Sequence, residues 1–258
     1  MKIIVLVKEV PDTYGDRKLD LETGLADRGA SDPVLDEISE RSLEVALSYA
    51  DAHGDVEVVA LSIAPESAST TVRKALAMGA DRAVQIVDEE LRGADIMLTA
   101  EVLAAAVRKE GFDMIIAGNA ATDGMSGMVP PALAEHLGVV LLSGLSAVEI
   151  SEASVSGRRP VDGGVQQVSA SLPAVISITE ALPDGRFPSF KGIMAAKKKP
   201  FETLSLPDLG IAVDNAAVPR SIMLKISEKP PRQAGVKIVD EGDAAERLAD
   251  FLIENRLA

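Results

Sequence analysis

The sequence predicts an α/β fold built on a mostly parallel sheet, and three observations predict it. Short runs rich in Val, Ile and Leu alternate with longer segments of helical rhythm through the first half of the chain. A glycine-bearing loop, 118–129, follows one of the most apolar of those runs, and Asp162-Gly163-Gly164 interrupts a β-rich region further on. Repeated β and α segments of this kind pack as a parallel sheet with helices on both faces.

Strands are expected near Lys2–Val7, Val56–Ile63, Arg82–Val87 and Asp113–Ala117, with helices near Asp36–Asp51, Glu66–Met78 and Ala94–Lys109 between them. Asp36 precedes an apolar rhythm at Ile38, Leu43, Ala46 and Leu47, and Gly54 follows it as a stop. Pro65 fits the start of the second helix. After Ser126 a further helix runs through Leu137 and stops at Gly138, with Pro130-Pro131 early enough to be tolerated. The 118–129 loop therefore lies at a strand's carboxyl end.

From Val139 to Ile178 the pattern is strand and hairpin, so the sheet is expected to gain antiparallel or mixed strands there, with Asp162-Gly163-Gly164 supplying positive-φ residues for the turn. Beyond Pro200 the regular pattern is interrupted, and Pro230–Gly235 reads as extended. A last helix near Asp243–Arg256 has Ala244, Leu248, Phe251 and Leu252 at helical spacing; packing on itself and docking to a partner are equally open readings of it. The expected division is residues 1–200 as an α/β domain and 201–258 as a C-terminal arm and helix.

Composition removes whole classes of function. The 258 residues are 47% apolar, enough for one large or two small packed domains, and no apolar run approaches the length of a membrane span. Lys8-Glu9 ends the first apolar run too early for a signal peptide, so a cytoplasmic location is expected. With no cysteine there are no disulfides, thiolate nucleophiles or iron–sulfur clusters, so any redox role borrows a cofactor. A net charge of −14 argues against general nucleic-acid binding. Two isolated histidines, His53 and His136, read as surface residues at helix ends, and 3% aromatics with no Trp leave few rings to sandwich a flavin.

The loop is the candidate site. Gly118, Asn119, Thr122, Asp123, Gly124, Ser126, Gly127, Met128 and Val129 join a buried strand to a helix start, where glycines admit phosphate oxygens to backbone N–H groups and the first helical turn adds donors and partial positive charge. The alternative is a loop that serves only as a turn. Further on, Phe187, Phe190, Ile193 and Met194 lie between Pro183-Asp184-Gly185 and Lys197-Lys198-Lys199; the segment is either a core-packing loop or an exposed anchor for a partner. The lysines and Asp88-Glu89-Glu90 read as solvated charge. No Ser/His/Asp, Walker A or H-E-x-x-H arrangement is legible, so the chain reads as a holder of a cofactor rather than an enzyme.

Gly157, Arg159, Asp162-Gly163-Gly164, Gln166, Val168, and Pro173 with Val175-Ile176 form a spacing that closely resembles the electron transfer flavoprotein β subunit. Residues 186–199 (RFPSFKGIMAAKKK) resemble that family's partner-recognition loop, and the likeness extends from Met1 through Ala75–Ala83 to Pro230–Ile238. The resemblance implies a Rossmann-like adenine-nucleotide-binding fold with an added hairpin and an extended C-terminal arm. It also implies a heterodimer with an α subunit that binds most of the redox FAD, with AMP held structurally by the 118–129 loop. Leu6, Pro33, Val34, Leu35, Asp36 and Ile63 match positions lining the adenosine, and Leu35 would cover the partner's flavin. The Phe190 segment would dock acyl-CoA dehydrogenases or other flavin dehydrogenases, and electrons would pass toward a quinone oxidoreductase, as in fatty acid oxidation.

The chain departs from the family where Pro33-Val34-Leu35 replaces Asn-Pro-Phe or Asn-Pro-Tyr, where Thr13 stands for a Tyr, and where Pro160 replaces an acidic residue. Two alternatives stay open. One is an electron-bifurcating β subunit carrying a second FAD instead of AMP. The other is a stand-alone adenine-nucleotide-binding protein of the universal-stress type, whose Gly-x2-Gly-x9-Gly-Ser/Thr loop is not found here.

Overall fold

β-Branched side chains suit a pleated surface, and a strand buried on both faces reads as a continuous apolar run. The chain uses four such runs as neighbours: β1 (Lys2–Leu6), β4 (Glu57–Ile63), β6 (Met114–Gly118) and β11 (Ala174–Ile178). The computed structural model describes residues 1–15, 18–212, 221, 223–231 and 234–257. With β5 (Arg82–Ile86), β7 (Val140–Leu145) and β12 (Phe201–Leu204) they form a seven-stranded sheet in the order β12-β5-β4-β1-β6-β11-β7, every pairing parallel. The α/β class and parallel sheet are as expected.

Helices cover both faces. Ile3, Val5, Val58, Ile116 and Ile176 face α1 (Glu37–Ala52) and α2 (Ser69–Met78) through Leu43, Leu47, Val72 and Leu76. Ile4, Val59, Leu61, Ile115 and Val175 point the other way, against Val102 and Val107 of α3 (Ile96–Glu110) and Leu133 of α4 (Val129–Leu137). The alternation of Ile3, Ile4 and Val5 between the two clusters is the period-two geometry of a strand. Asp95 caps α3 by accepting from the Leu98 N–H at 2.9 Å, and left-handed Gly138 closes α4.

The antiparallel strands do not join the central sheet. β8 (Ala147–Ile150), β9 (Ser154–Val161) and β10 (Gly164–Ser171) form a separate three-stranded sheet, while β2 (Glu9–Pro11) and β3 (Pro33–Leu35) make a small ribbon. The reason lies in the side chains: β9 and β10 carry Arg158, Arg159, Gln166 and Gln167 on a mostly exposed surface, which no doubly covered position accepts. The turn between them is Asp162-Gly163, and Gly163 alone of the Asp162-Gly163-Gly164 triplet has positive φ, at 80°. β11 then returns to the central sheet between β6 and β7.

The boundary expected after residue 200 falls later. β12 pairs with β5 from Phe201↔Ala83 to Leu204↔Ile86, and Leu206 is fully buried, so this stretch belongs to the main unit, Met1–Leu224. The second unit, Lys225–Ala258, holds α6 (Ala244–Glu254), none of whose residues is buried. Pro230, Pro231, Ala234 and Gly235 have neither helix nor strand; Arg232 and Gln233 of that motif lie outside the described residues.

Candidate functional site

The chain builds β1, β4 and β5 outward in one direction and then crosses back to place β6 on the other side of β1. That reversal is the switch point at which open α/β sheets bind ligands beyond the strands' carboxyl ends. A cleft lies there. Its walls include Leu6 and Lys8 after β1, Leu61 and Ile63 of β4, Asp36, Ile38 and Ser39 at the start of α1, Thr99 and Leu103 of α3, and the loop from Gly118 to Val129. A larger, open polar dish at Met1, Lys2, Asp55, Asp81 and Asp113 occupies the amino ends of the strands, where the Lys2 ammonium pairs with Glu57 and the Asp113 carboxylate accepts from the Lys2 backbone N–H. We place the candidate site at the switch point on that ground.

Gly118 sets the depth of the cleft. A Cβ there would lie 2.6 Å from Cγ2 of Ile38, so only glycine lets the end of β6 meet α1. Asn119 follows in register, its N–H donating to the Ile178 carbonyl at 2.8 Å. Asp36 stands in the capping position of α1 but makes no side-chain cap bond. Its carboxylate, 1% exposed, instead accepts from the Thr122 N–H at 2.9 Å and ties the loop to the helix. Burial pushes the Asp36 carboxyl above its ordinary value, against the opposing effect of the Thr122 N–H. Among the described residues Oδ1 of Asp36 and Oγ1 of Thr122 are buried without a partner of good hydrogen-bond geometry, although the Ile38 N–H and the Thr122 hydroxyl act on the Asp36 carboxylate against its burial.

The donors come from a different source than the sequence suggested. α4 starts at Val129 and continues with Pro130-Pro131, which have no N–H, so its first turn adds one free donor where a helix start commonly adds several. Among the described residues, no protein acceptor takes the N–H groups of Ser126, Gly127 or Val129. Gly127, at φ 66°, turns this stretch of backbone toward the helix. The free donors thus form a curve of loop backbone with one helical N–H at its end, an arrangement that can chemically receive an anion.

Asp123 lies beneath the mouth, 8% exposed at its side chain, and both its oxygens are taken: Oδ1 by Lys8 Nζ at 2.7 Å and Oδ2 by Arg28 Nη2 at 3.1 Å. Burial pushes the carboxyl up, but the Lys8 hydrogen bond and the charges of Lys8 and Arg28 outweigh it and hold the pKa below its ordinary value of 3.8. A depressed carboxylate contributes stability above its unfolded value that is lost as the pH falls through the folded value. Asp123→Asn is therefore expected to be less stable than wild type at pH 7, by about 1 kcal/mol given how solvated the two cations are. In urea titrations the deficit should begin to shrink near pH 3.8 and vanish only once the pH has fallen through the lower folded value; one that persists unchanged into acid would show that the ion pairs are not its source.

Of the residues expected at the site, Leu6, Asp36, Ile63, Gly118, Asn119, Gly124, Ser126, Gly127 and Val129 come together in the cleft wall. Pro33 and Val34 sit in β3, off the wall, and Met128 is half exposed beside the mouth. Leu35 is a correction: at 2% exposure it packs into this chain's own core and is not free to cover a partner's flavin. Lys8, Ser39, Thr99 and Leu103 line the cleft without having been expected. Lys8 had a signal, being a charge directly after a buried strand; Thr99 and Leu103 had none in an ordinary helical pattern.

The second candidate segment is also more ordered than a loop. Ser189 caps a short helix, α5 (Phe190–Ala196), by accepting from the Gly192 N–H at 3.0 Å. Phe187 and Phe190 are 96% and 81% exposed, with Ile193 and Met194 half exposed beside them. Arg186 fastens the start of this segment to α1 through Glu44 and Asp51, and those carboxylates raise its pKa further. Lys199 fastens the end, its ammonium donating to the carbonyls of Leu76, Gly79 and Ala80 at the close of α2 at 3.2, 3.0 and 2.7 Å. Lys199 is thus a helix-end clamp and not a solvated charge. Asp88 likewise caps its turn, accepting from the Glu90 and Leu206 N–H groups.

Comparison with known proteins bears on both segments. The family profile described as the electron transfer flavoprotein domain matches residues 24–209. The electron transfer flavoprotein subunit beta of Mycobacterium leprae is 42% identical over 99% of this chain and 98% of its own length. The chain belongs to the electron transfer flavoprotein β-subunit family. Its similarity to the Bacillus subtilis electron transfer flavoprotein subunit beta is 33% identity over 98% of this chain and 96% of that one. The caffeyl-CoA reductase-Etf complex subunit CarD of Acetobacterium woodii is 29% identical over 98% of this chain and 97% of its own. Among the described residues of this electron transfer flavoprotein subunit, no cluster suits a metal ion and no helix is long and apolar enough to cross a membrane.

Proposed function

We propose that this chain is the β subunit of a heterodimeric electron transfer flavoprotein that holds AMP in the switch-point cleft as a structural nucleotide. The observation that carries the reading is the set of Ser126, Gly127 and Val129 N–H groups that no protein acceptor takes among the described residues, in a cleft that also holds the buried Oδ1 of Asp36. The N–H groups suit a phosphate; Leu6, Leu61, Ile63 and Leu103 suit the base and ribose carbons; and the buried Asp36 oxygen suits a hydroxyl or amino donor. The α subunit holds most of the redox FAD, which supplies the electron chemistry when bound. This chain supports it from one side, and the 225–258 unit lies along the α subunit.

Phe187, Phe190, Ile193 and Met194 dock the donor, a flavin dehydrogenase of the acyl-CoA dehydrogenase kind, and electrons leave toward a quinone oxidoreductase. An apolar helix clamped at both ends offers such a surface at low ordering cost. The reading is tested by purifying the chain with its α subunit, denaturing the complex and identifying the released nucleotides by chromatography and mass. One FAD with one AMP per heterodimer is the expected result. Two FAD and no AMP would assign the cleft to a second flavin and the protein to electron bifurcation, and FAD alone would remove the nucleotide from the 118–129 loop.

A further inference from the structure

Two charged side chains line the cleft, Asp36 and Lys8. Asp36 is a carboxylate and carries the sign of the anion itself, which leaves Lys8 as the lining group whose charge attracts a phosphate. An ammonium carries three N–H donors. One of them goes to Asp123 Oδ1, and among the described residues no other protein acceptor takes the remaining two. Arg28 holds the second oxygen of Asp123 while its Nη1 donates to the Glu9 carbonyl at 3.3 Å, so the carboxylate stays anchored to β2 whatever Lys8 does. The cluster sets the two cations Lys8 and Arg28 against the Asp123 carboxylate.

We propose that Lys8 is the cation that recognises the phosphate of the bound nucleotide, donating to it from the same ammonium that Asp123 anchors, with Asp123 and Arg28 as positioning residues. The inference rests on the reading of the cleft as a nucleotide site and adds the residue that selects a phosphorylated ligand over its nucleoside. Backbone N–H groups accept any acceptor of suitable shape, whereas a fixed ammonium rewards charge. At 42% side-chain exposure, and in the same cleft wall as Ser126 and Gly127, the Lys8 ammonium stays accessible to a ligand while it is paired with Asp123.

The test uses heterodimer stripped of nucleotide and titrated separately with AMP and with adenosine. Lys8→Met is expected to weaken AMP by about tenfold or more while adenosine binding changes by less than about twofold. Lys8→Arg should retain most of the preference for AMP, and Arg28→Met should lose less of it than Lys8→Met. If Lys8→Met does not assemble, Lys8→Gln gives the same comparison, since it keeps a donor to Asp123 without the charge. Equal losses for both ligands, or no loss for either, overturn the role of Lys8. Wild-type heterodimer that takes up AMP and adenosine equally well also overturns it, whereas wild type that takes up neither contradicts the nucleotide reading itself, and the inference falls with it.

Discussion

Gly118→Val is expected to destabilise the protein by about 1–3 kcal/mol and to strip the cleft of its nucleotide. A Cβ at this position would stand 2.6 and 2.7 Å from the two γ-carbons of Ile38 and 3.1 Å from its Cβ, so α1 must move away from the end of β6. α1 carries Asp36, Ile38 and Ser39 in the cleft wall, and Asp36 holds the Thr122 N–H. The displacement therefore reaches the 118–129 loop directly. Urea unfolding and nucleotide content of the purified heterodimer read the two effects. A variant with wild-type stability and a full complement of nucleotide would mean that the close approach at Gly118 does not shape the site.

Leu61→Ala is expected to cost more stability, about 2–5 kcal/mol, because Leu61 is fully buried and the paired strands and the helix around it leave little freedom to collapse into the void. It packs with Ile4, Val59, Val84 and Leu103 on the α3 side of the sheet, and its end also floors the cleft. The loss should appear as a lower urea midpoint with an unchanged slope, since the surface exposed on unfolding barely changes. AMP should still be found after purification, because the phosphate donors of 126–129 are untouched. A loss below about 1 kcal/mol would show that the floor of the cleft relaxes to fill the gap, and that its packing is looser than the burial implies.

Much of the central sheet was legible because its strands are buried on both faces and so read as unbroken apolar runs, as in Ile3-Ile4-Val5 and Met114-Ile115-Ile116. Helix limits such as Gly138 were legible because backbone conformation there favours one residue type. The separate hairpin sheet was not, since alternation along β9 and β10 fixes that they are strands but not which sheet accepts them. β12 was hidden by Pro200 and Pro207 on either side; a four-residue edge strand tolerates such neighbours. The Phe190 segment was expected as a loop, yet Ser189 is a strong N-cap, and a short helix follows it. At the site, the position of the glycine loop between a buried strand and a helix was legible, and so were Pro130-Pro131, while the Lys8–Asp123–Arg28 cluster emerges only when segments far apart in sequence meet.

The most direct measurement is a crystal structure of the heterodimer with its own nucleotide. The phosphate should lie at about 2.7–3.2 Å from the backbone nitrogens of Ser126 and Gly127, at the carboxyl ends of β1 and β6. A nucleotide seated instead in the polar dish at the strands' amino ends, or a phosphate turned away from residues 126–129, would contradict the assignment of the switch-point cleft.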